Sequence, residues 1–208
     1  MRKIFLDLGA NNGCSVKLFT EIFKDYNDYE IHSFECSDTY YDEMLLNVTK
    51  LNLNNFTPHK KAVWINNGKK QFTGWEISNT KIDNDNYGVD CIDISSFILE
   101  NFSKEDYIIL KMDIEGAEYK VIEKMEKDSS LGYITEFYGE LHGPKKGYSV
   151  QDNKDLLNRL NNVGLKLYNW DAQVNIKYEK IEIVPFDTEG SYLTPSSPRV
   201  GHAYKKYI

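Results

Sequence analysis

The chain opens on Lys3-Ile4-Phe5-Leu6-Asp7-Leu8-Gly9-Ala10-Asn11-Asn12-Gly13, and no other stretch restricts the possible folds so far. A short apolar run ends beside an acid and a Gly-x-x-x-Gly turn. Ser15, Leu18, Phe19, Ile22 and Phe23 then recur at helical spacing. Strand, glycine turn and helix in this order make the first unit of an α/β sheet that takes a nucleotide-like ligand at its carboxyl edge. The glycines let backbone approach a ligand closely, and the helix N-terminus offers N–H groups to a carboxylate or phosphate. The spacing is neither the Gly-x-Gly-x-x-Gly of dinucleotide enzymes nor the Gly-Lys-Ser/Thr of a P-loop.

Two later strands also end in acids. Tyr29 to Phe34 leads into Glu35, and Tyr41, Met44, Leu45 and Val48 mark the helix that follows. An acid at the tip of strand two is placed to accept from the two vicinal hydroxyls of a ribose, which a carboxylate does with both oxygens. Tyr107-Ile108-Ile109-Leu110-Lys111-Met112-Asp113-Ile114-Glu115-Gly116-Ala117-Glu118 is a buried strand closing on acids, with a helix through Tyr119, Val121, Ile122 and Met125.

That third segment resembles the signature of the FkbM family of S-adenosylmethionine (AdoMet)-dependent O-methyltransferases, close to Leu-Lys-x-Asp-x-Glu-Gly-x-Glu. The resemblance extends to Phe5 through Asn11, Ser33-Phe34-Glu35, Lys61-Ala62-Val63 and Ile92-Asp93, and runs from the first strand to about Gly143. It implies a single Rossmann-like class I methyltransferase domain, over residues 1–208, that moves a methyl group from AdoMet to a hydroxyl, often on a sugar. It also implies an AdoMet site built from Asp7, Gly9, Ala10, Asn11, Gly13, Ser15, Glu35 and Asp113, with Ala62 or Val63 near the adenine. Family members usually carry a segment ahead of the first strand. Its absence here suggests a covering element supplied elsewhere, or a domain of a larger protein.

Composition narrows the partners. With 208 residues, 41% apolar and 27% charged, the chain supports one substantial core. The net charge of −7 works against nucleic acid, which calls for a basic stripe. No apolar run approaches a membrane span and no signal segment precedes Asp7, so the expected location is the cytoplasm. Cys14, Cys36 and Cys91 fit neither a zinc site nor a disulfide framework, and are expected as packed thiols.

Strands are expected at 3–8, 30–35, about 58–65, 107–113 and 133–138, in a mostly parallel sheet. Residues 71–77 suggest a hairpin, and Asp93 an N-cap rather than a ligand contact. A helix is expected from about Asp152 to Val163, stopped by Gly164. Alternation in 165–170, 180–184 and 202–207 suggests antiparallel strands at the C-terminal edge, and the Pro-containing stretch 185–201 a covering loop.

Catalysis in such a sheet sits above the carboxyl ends of the central strands. Asp113 is the leading catalytic acid, and Lys111 is either its partner or half of a structural ion pair. Glu118 is expected to cap its helix. If residues 133–142 stay extended, Glu136, Tyr138, Glu140 and His142 share a face, and His142 is the candidate to take the acceptor's proton. Alternatively Asp113 with Glu136 or Glu140 holds Mg²⁺ through oxygen ligands. RNA ribose 2′-O-methylation and a non-catalytic nucleoside-binding module are the competing functions. The acceptor and the oligomeric state are not legible.

Overall fold

A computed structural model describes residues 1–71, 88–143 and 147–170. In chain order these form β1 (Lys3–Leu8), α1 (Cys14–Ile22), β2 (Tyr29–Phe34), α2 (Asp38–Thr49), β3 (Phe56–His59), β4 (Ala62–Trp64), β5 (Gly68–Lys70), β6 (Val89–Asp93), α3 (Ile94–Asn101), β7 (Tyr107–Met112), α4 (Glu118–Lys127), β8 (Glu136–Gly139), α5 (Val150–Asn162) and β9 (Leu167–Tyr168). Among the described residues, six strands lie in the order β3-β2-β1-β7-β8-β9, and every neighbouring pair is parallel. From β1 the chain steps outward to β2 and β3. It then returns to the other side of β1 at β7 and steps outward again. The reversal between β1 and β7 opens a crevice at their carboxyl ends.

Strand parity sorts the two faces of the sheet. Ile4, Leu6 and Leu8 of β1 and Ile108, Leu110 and Met112 of β7 join one core with α3, α4 and α5. Phe5 and Ile109 face the other core, with Val16, Phe19 and Ile22 of α1 and Met44 and Val48 of α2. Phe5 stacks on Phe19 at 4.1 Å between ring centres, and Tyr29 meets Phe19 edge-on at 5.1 Å. Each such buried aliphatic or aromatic side chain contributes about 1.5–3 kcal/mol. Both faces of β1 and β7 are covered, which is why these strands are continuously apolar where they are not chemically active.

Several expectations change. The strand foreseen at 58–65 is two strands in two sheets. The carbonyl of His59 accepts from Glu35 N (3.0 Å) and also from Lys61 N (3.0 Å), which turns the chain out of the main sheet. Ala62–Trp64 then pairs parallel with β6, and β5 adds an antiparallel third strand. Pro58 is tolerated because β3 is an edge strand. Residues 130–133 are a 3₁₀ turn, so β8 begins only at Glu136. Leu167–Tyr168 pairs parallel with β8 rather than antiparallel, because α5 carries the chain back across the sheet first. The expected strands at 180–184 and 202–207, the covering loop at 185–201 and the hairpin beyond residue 71 lie outside the described residues.

The caps follow local chemistry. Asp93 caps α3 by accepting from Ser96 N at 3.1 Å. Ser149 and Asp152 form a capping box, so α5 starts at Val150, ahead of the expected boundary. Gly164 follows the last turn with φ 81°. Among the described residues, no helix is long and apolar enough to cross a membrane.

Candidate active site

The glycine turn after β1 is tied to the tip of β2. Gly9 N and Ala10 N both donate to the Phe34 carbonyl, at 3.0 and 2.9 Å. Gly9 has φ 79°, and a Cβ there would lie 1.9 Å from the Asp113 carbonyl oxygen, so only glycine lets the two strand ends approach. Glu35 is buried and fastens the turn. Its Oε2 accepts from Asn11 N at 2.8 Å, while Oε1 accepts from Cys36 N at 2.9 Å and Ser37 N at 2.8 Å. Burial raises its pKa, and these three amides oppose the rise. A carboxylate has about four acceptor positions, so a further hydrogen bond remains to be accepted.

A polar row crosses the sheet beneath this turn. Register aligns Ser33, Asp7, Lys111 and Tyr138 on adjacent strands. Ser33 Oγ donates to Asp7 Oδ2 at 3.3 Å, and Lys111 Nζ lies 3.2 Å from Asp7 Oδ1. Lys111 also donates to the Gly9 carbonyl at 2.6 Å and approaches that of Leu8 at 3.4 Å. Burial disfavours its charge, but Asp7 and Asp113 outweigh that and hold its pKa above the ordinary value. Asp7 has no exposed surface and Lys111 almost none. The pair therefore acts as an anchor for the turn, with the acid set back from any ligand. Lys111 thus forms a buried ion pair with Asp7, while its Nζ also faces Asp113. Asp7, expected among the AdoMet-site residues, is buried and meets the turn through Lys111.

The third group gathers at the end of β7. Asp113 stands beside the crevice with its side chain 28% exposed, and Lys111 Nζ is 3.9 Å from its Oδ2. Burial raises the Asp113 pKa, against the pull of Lys111 and His142. Glu115 follows at φ 55° in the turn before α4, whose first residue is Glu118. Glu118 is fully buried. Its Oε1 accepts from Ile114 N at 3.0 Å and also sits 2.9 Å from His142 Nδ1. Glu118 stands in the first turn of α4, but its side chain accepts from Ile114 N ahead of the helix instead of capping α4. Its contact with His142 is not legible in sequence, because no local pattern joins α4 to the chain beyond β8.

His142 is buried, with Nε2 3.8 Å from Asp113 Oδ1, 3.6 Å from Glu115 Oε2 and 3.6 Å from Glu140 Oε2. Burial lowers its pKa, yet the bond to Glu118 and the surrounding carboxylates dominate and push it up to about 9. These carboxylates favour the protonated ring over the neutral one.

Glu136 stands apart from this group. It sits level with Ile109 at the start of β8, where it accepts from the Tyr107 and Tyr138 hydroxyls. The chain leaves β8 after Gly139, so the common face expected for Glu136, Tyr138, Glu140 and His142 does not form. His142 faces both Glu140 and Asp113, whereas Glu136 is engaged by the two tyrosine hydroxyls. On the other side of the crevice, Ala62 packs in a small cluster with Trp64 and Cys91, against Cys36 and Ala117. Val63 is buried in the larger core beside Phe34 and Ile92. Ser15 is buried under the turn. Cys14 and Cys36 are part-buried thiols and Cys91 a buried one. Burial and the nearby Glu35 push the Cys36 thiol up to about 12, as expected for an inert packing residue.

The family model described as the methyltransferase FkbM domain matches residues 7–167. The chain belongs to the FkbM methyltransferase family. Its match begins at Asp7, the acid under the glycine turn, and ends at Leu167 in β9, so it takes in every element that positions the crevice. No curated protein matches the chain. Methyl transfer is the chemistry of the FkbM domain.

Proposed function

We propose that this FkbM methyltransferase transfers the methyl group of AdoMet to a hydroxyl oxygen, on a sugar of a glycan or a glycosylated metabolite. The observation that carries the reading is the convergence of the Glu35-fastened glycine turn and the Asp113 carboxylate on one crevice. The residues fit the cofactor. Glu35 keeps an acceptor position for a ribose hydroxyl, Gly9 to Gly13 supply close backbone, and Ala62 with Cys36 and Ala117 offers an apolar wall for a base. AdoMet supplies an electrophilic methyl on a sulfonium. Asp113, half open at the crevice, accepts a hydrogen bond from the acceptor hydroxyl and orients its oxygen. Glu118 holds His142 and the loop that carries it, which lines the same side.

The ribose-methylating alternative needs a lysine free to work beside the acid. Lys111 is committed to Asp7 and to the Gly9 carbonyl, and the chain is acidic. Neither observation supports it.

The test is calorimetry of the full chain with AdoMet, followed by a methyl-release assay over a panel of glycosides and RNA. Saturable AdoMet binding and turnover on glycosides are expected. Asp113→Asn should leave AdoMet affinity within about threefold and lower kcat at least tenfold, about 1.4 kcal/mol in the barrier. Turnover on RNA alone, or no AdoMet binding, would sink the reading.

A further inference from the structure

Four carboxylates surround one imidazole at the end of β7, and the arrangement is more specific than a patch of acids. His142 is 94% buried at its side chain, counting from 6% exposure, and its two nitrogens face different environments. Nδ1 is held at 2.9 Å by Glu118, whose other oxygen is buried without a hydrogen-bond partner among the described residues. Nε2 makes no hydrogen bond among the described residues and is aimed between Asp113, Glu115 and Glu140, at 3.6–3.8 Å from an oxygen of each. Ligand atoms of Asp113, Glu115 and His142 all lie within 4.8 Å of one another. Ligands about 2.1 Å from a common ion stand about 3–4 Å apart, which the distances of the Asp113 and Glu115 oxygens from Nε2 match.

We propose that Asp113, Glu115 and His142 form a binding site for a divalent transition-metal cation, with Glu140 as a fourth donor at its open side and Glu118 as the residue that orients the His142 ring. A carboxylate holding the far nitrogen of a metal-bound histidine fixes the tautomer and the ring direction. Glu118 stands in that relation to His142. One imidazole with carboxylates favours first-row transition cations such as Mn²⁺ over Mg²⁺, which prefers oxygen donors and its own water. This replaces the all-oxygen site of Asp113 with Glu136 or Glu140, because Glu136 is turned away. Binding of the ion stands on these side chains alone. Its use as a seat for the acceptor oxygen rests on the hydroxyl-methylating reading.

The experiment uses the full chain, freed of metal by EDTA and dialysis, and titrated with MnCl₂ while free Mn²⁺ is followed by electron paramagnetic resonance. One saturable Mn²⁺ per chain is expected, with a rise in melting temperature and competition by Zn²⁺ but not by equimolar Mg²⁺. Glu115→Gln, at a partly exposed position, should weaken Mn²⁺ binding at least tenfold, as should His142→Ala, the fold of each variant being checked by circular dichroism. Glu118→Gln should weaken it about 10–100-fold without removing a ligand. No saturable Mn²⁺ binding overturns the site, and leaves an imidazolium neutralising the carboxylates. Equal competition by Mg²⁺ overturns the role of the His142 nitrogen, as does undiminished binding by folded Glu115→Gln and His142→Ala together. AdoMet calorimetry on the metal-free chain separates the two claims. AdoMet bound without Mn²⁺ binding defeats the metal site only, and Mn²⁺ bound without AdoMet binding defeats the functional reading only.

Discussion

At the scale of single residues, the site depends on side chains whose partners are backbone. Glu35 accepts three hydrogen bonds from the amides of Asn11, Cys36 and Ser37, so it shapes the turn. Glu35→Ala should therefore weaken AdoMet binding by about 1–3 kcal/mol, the scale of hydrogen bonds to a charged group. Calorimetry on folded protein checks this, and unchanged affinity would remove Glu35 from the site. Lys111 illustrates a different cost. Truncating one partner of a buried ion pair strands the other, so Lys111→Met should destabilise the fold by about 3–5 kcal/mol. The double change Asp7→Asn with Lys111→Met should recover most of that loss, since no charge is then left behind. Urea unfolding of the three proteins measures both terms. If the double variant is as unstable as the single one, packing rather than charge holds this row together.

Among elements, the edge formed by β2 and β3 carries a testable pH response. His32 and His59 sit side by side, with Nδ1 of one 3.1 Å from Nε2 of the other, and His59 stacks on Phe34 at 4.3 Å. Phe97 of α3 meets both imidazoles edge-on. Their pairing depends on register between the parallel strands β2 and β3, which no local pattern in the sequence shows. Burial lowers both pKa values, that of His59 to about 4, below the 6.5 of an unfolded histidine. Between those values the unfolded chain binds the proton first. The pair's contribution is therefore intact above about pH 6.5 and is lost as pH falls toward 4. Urea midpoints of wild type and His59→Phe should diverge over that window, with wild type falling more steeply. Parallel curves would contradict the assignment.

For the whole molecule, the crevice lies where two halves of the sheet meet. β1 and β2 supply the glycine turn and Glu35, while β7 and the chain beyond β8 supply Asp113 and His142. A ligand held by both halves binds only the folded chain, so AdoMet at about 100 times its Kd should stabilise it by about 2.7 kcal/mol. A melting curve recorded with increasing AdoMet should rise continuously, and a flat one would show that the halves do not share the ligand.

What the sequence determined by itself is local. Apolar runs ending in acids placed β1, β2 and β7, helical spacing placed α1, α2 and α4, and short side-chain caps such as Asp93 marked where helices begin. These depend on neighbours a few residues away, and so does the glycine turn with its family signature. The tertiary structure decided which distant groups meet. Lys111 and Asp7 pair because parallel register sets them on one face, 104 residues apart in sequence numbering from Lys111 to Asp7. Glu118 meets His142 because α4 docks beside the exit from β8, and Glu136 is lost to the site because the strand starts there and the extended run ends at Gly139. Register, docking and the direction of β9 are set by packing summed over the whole core, which no short stretch of sequence contains.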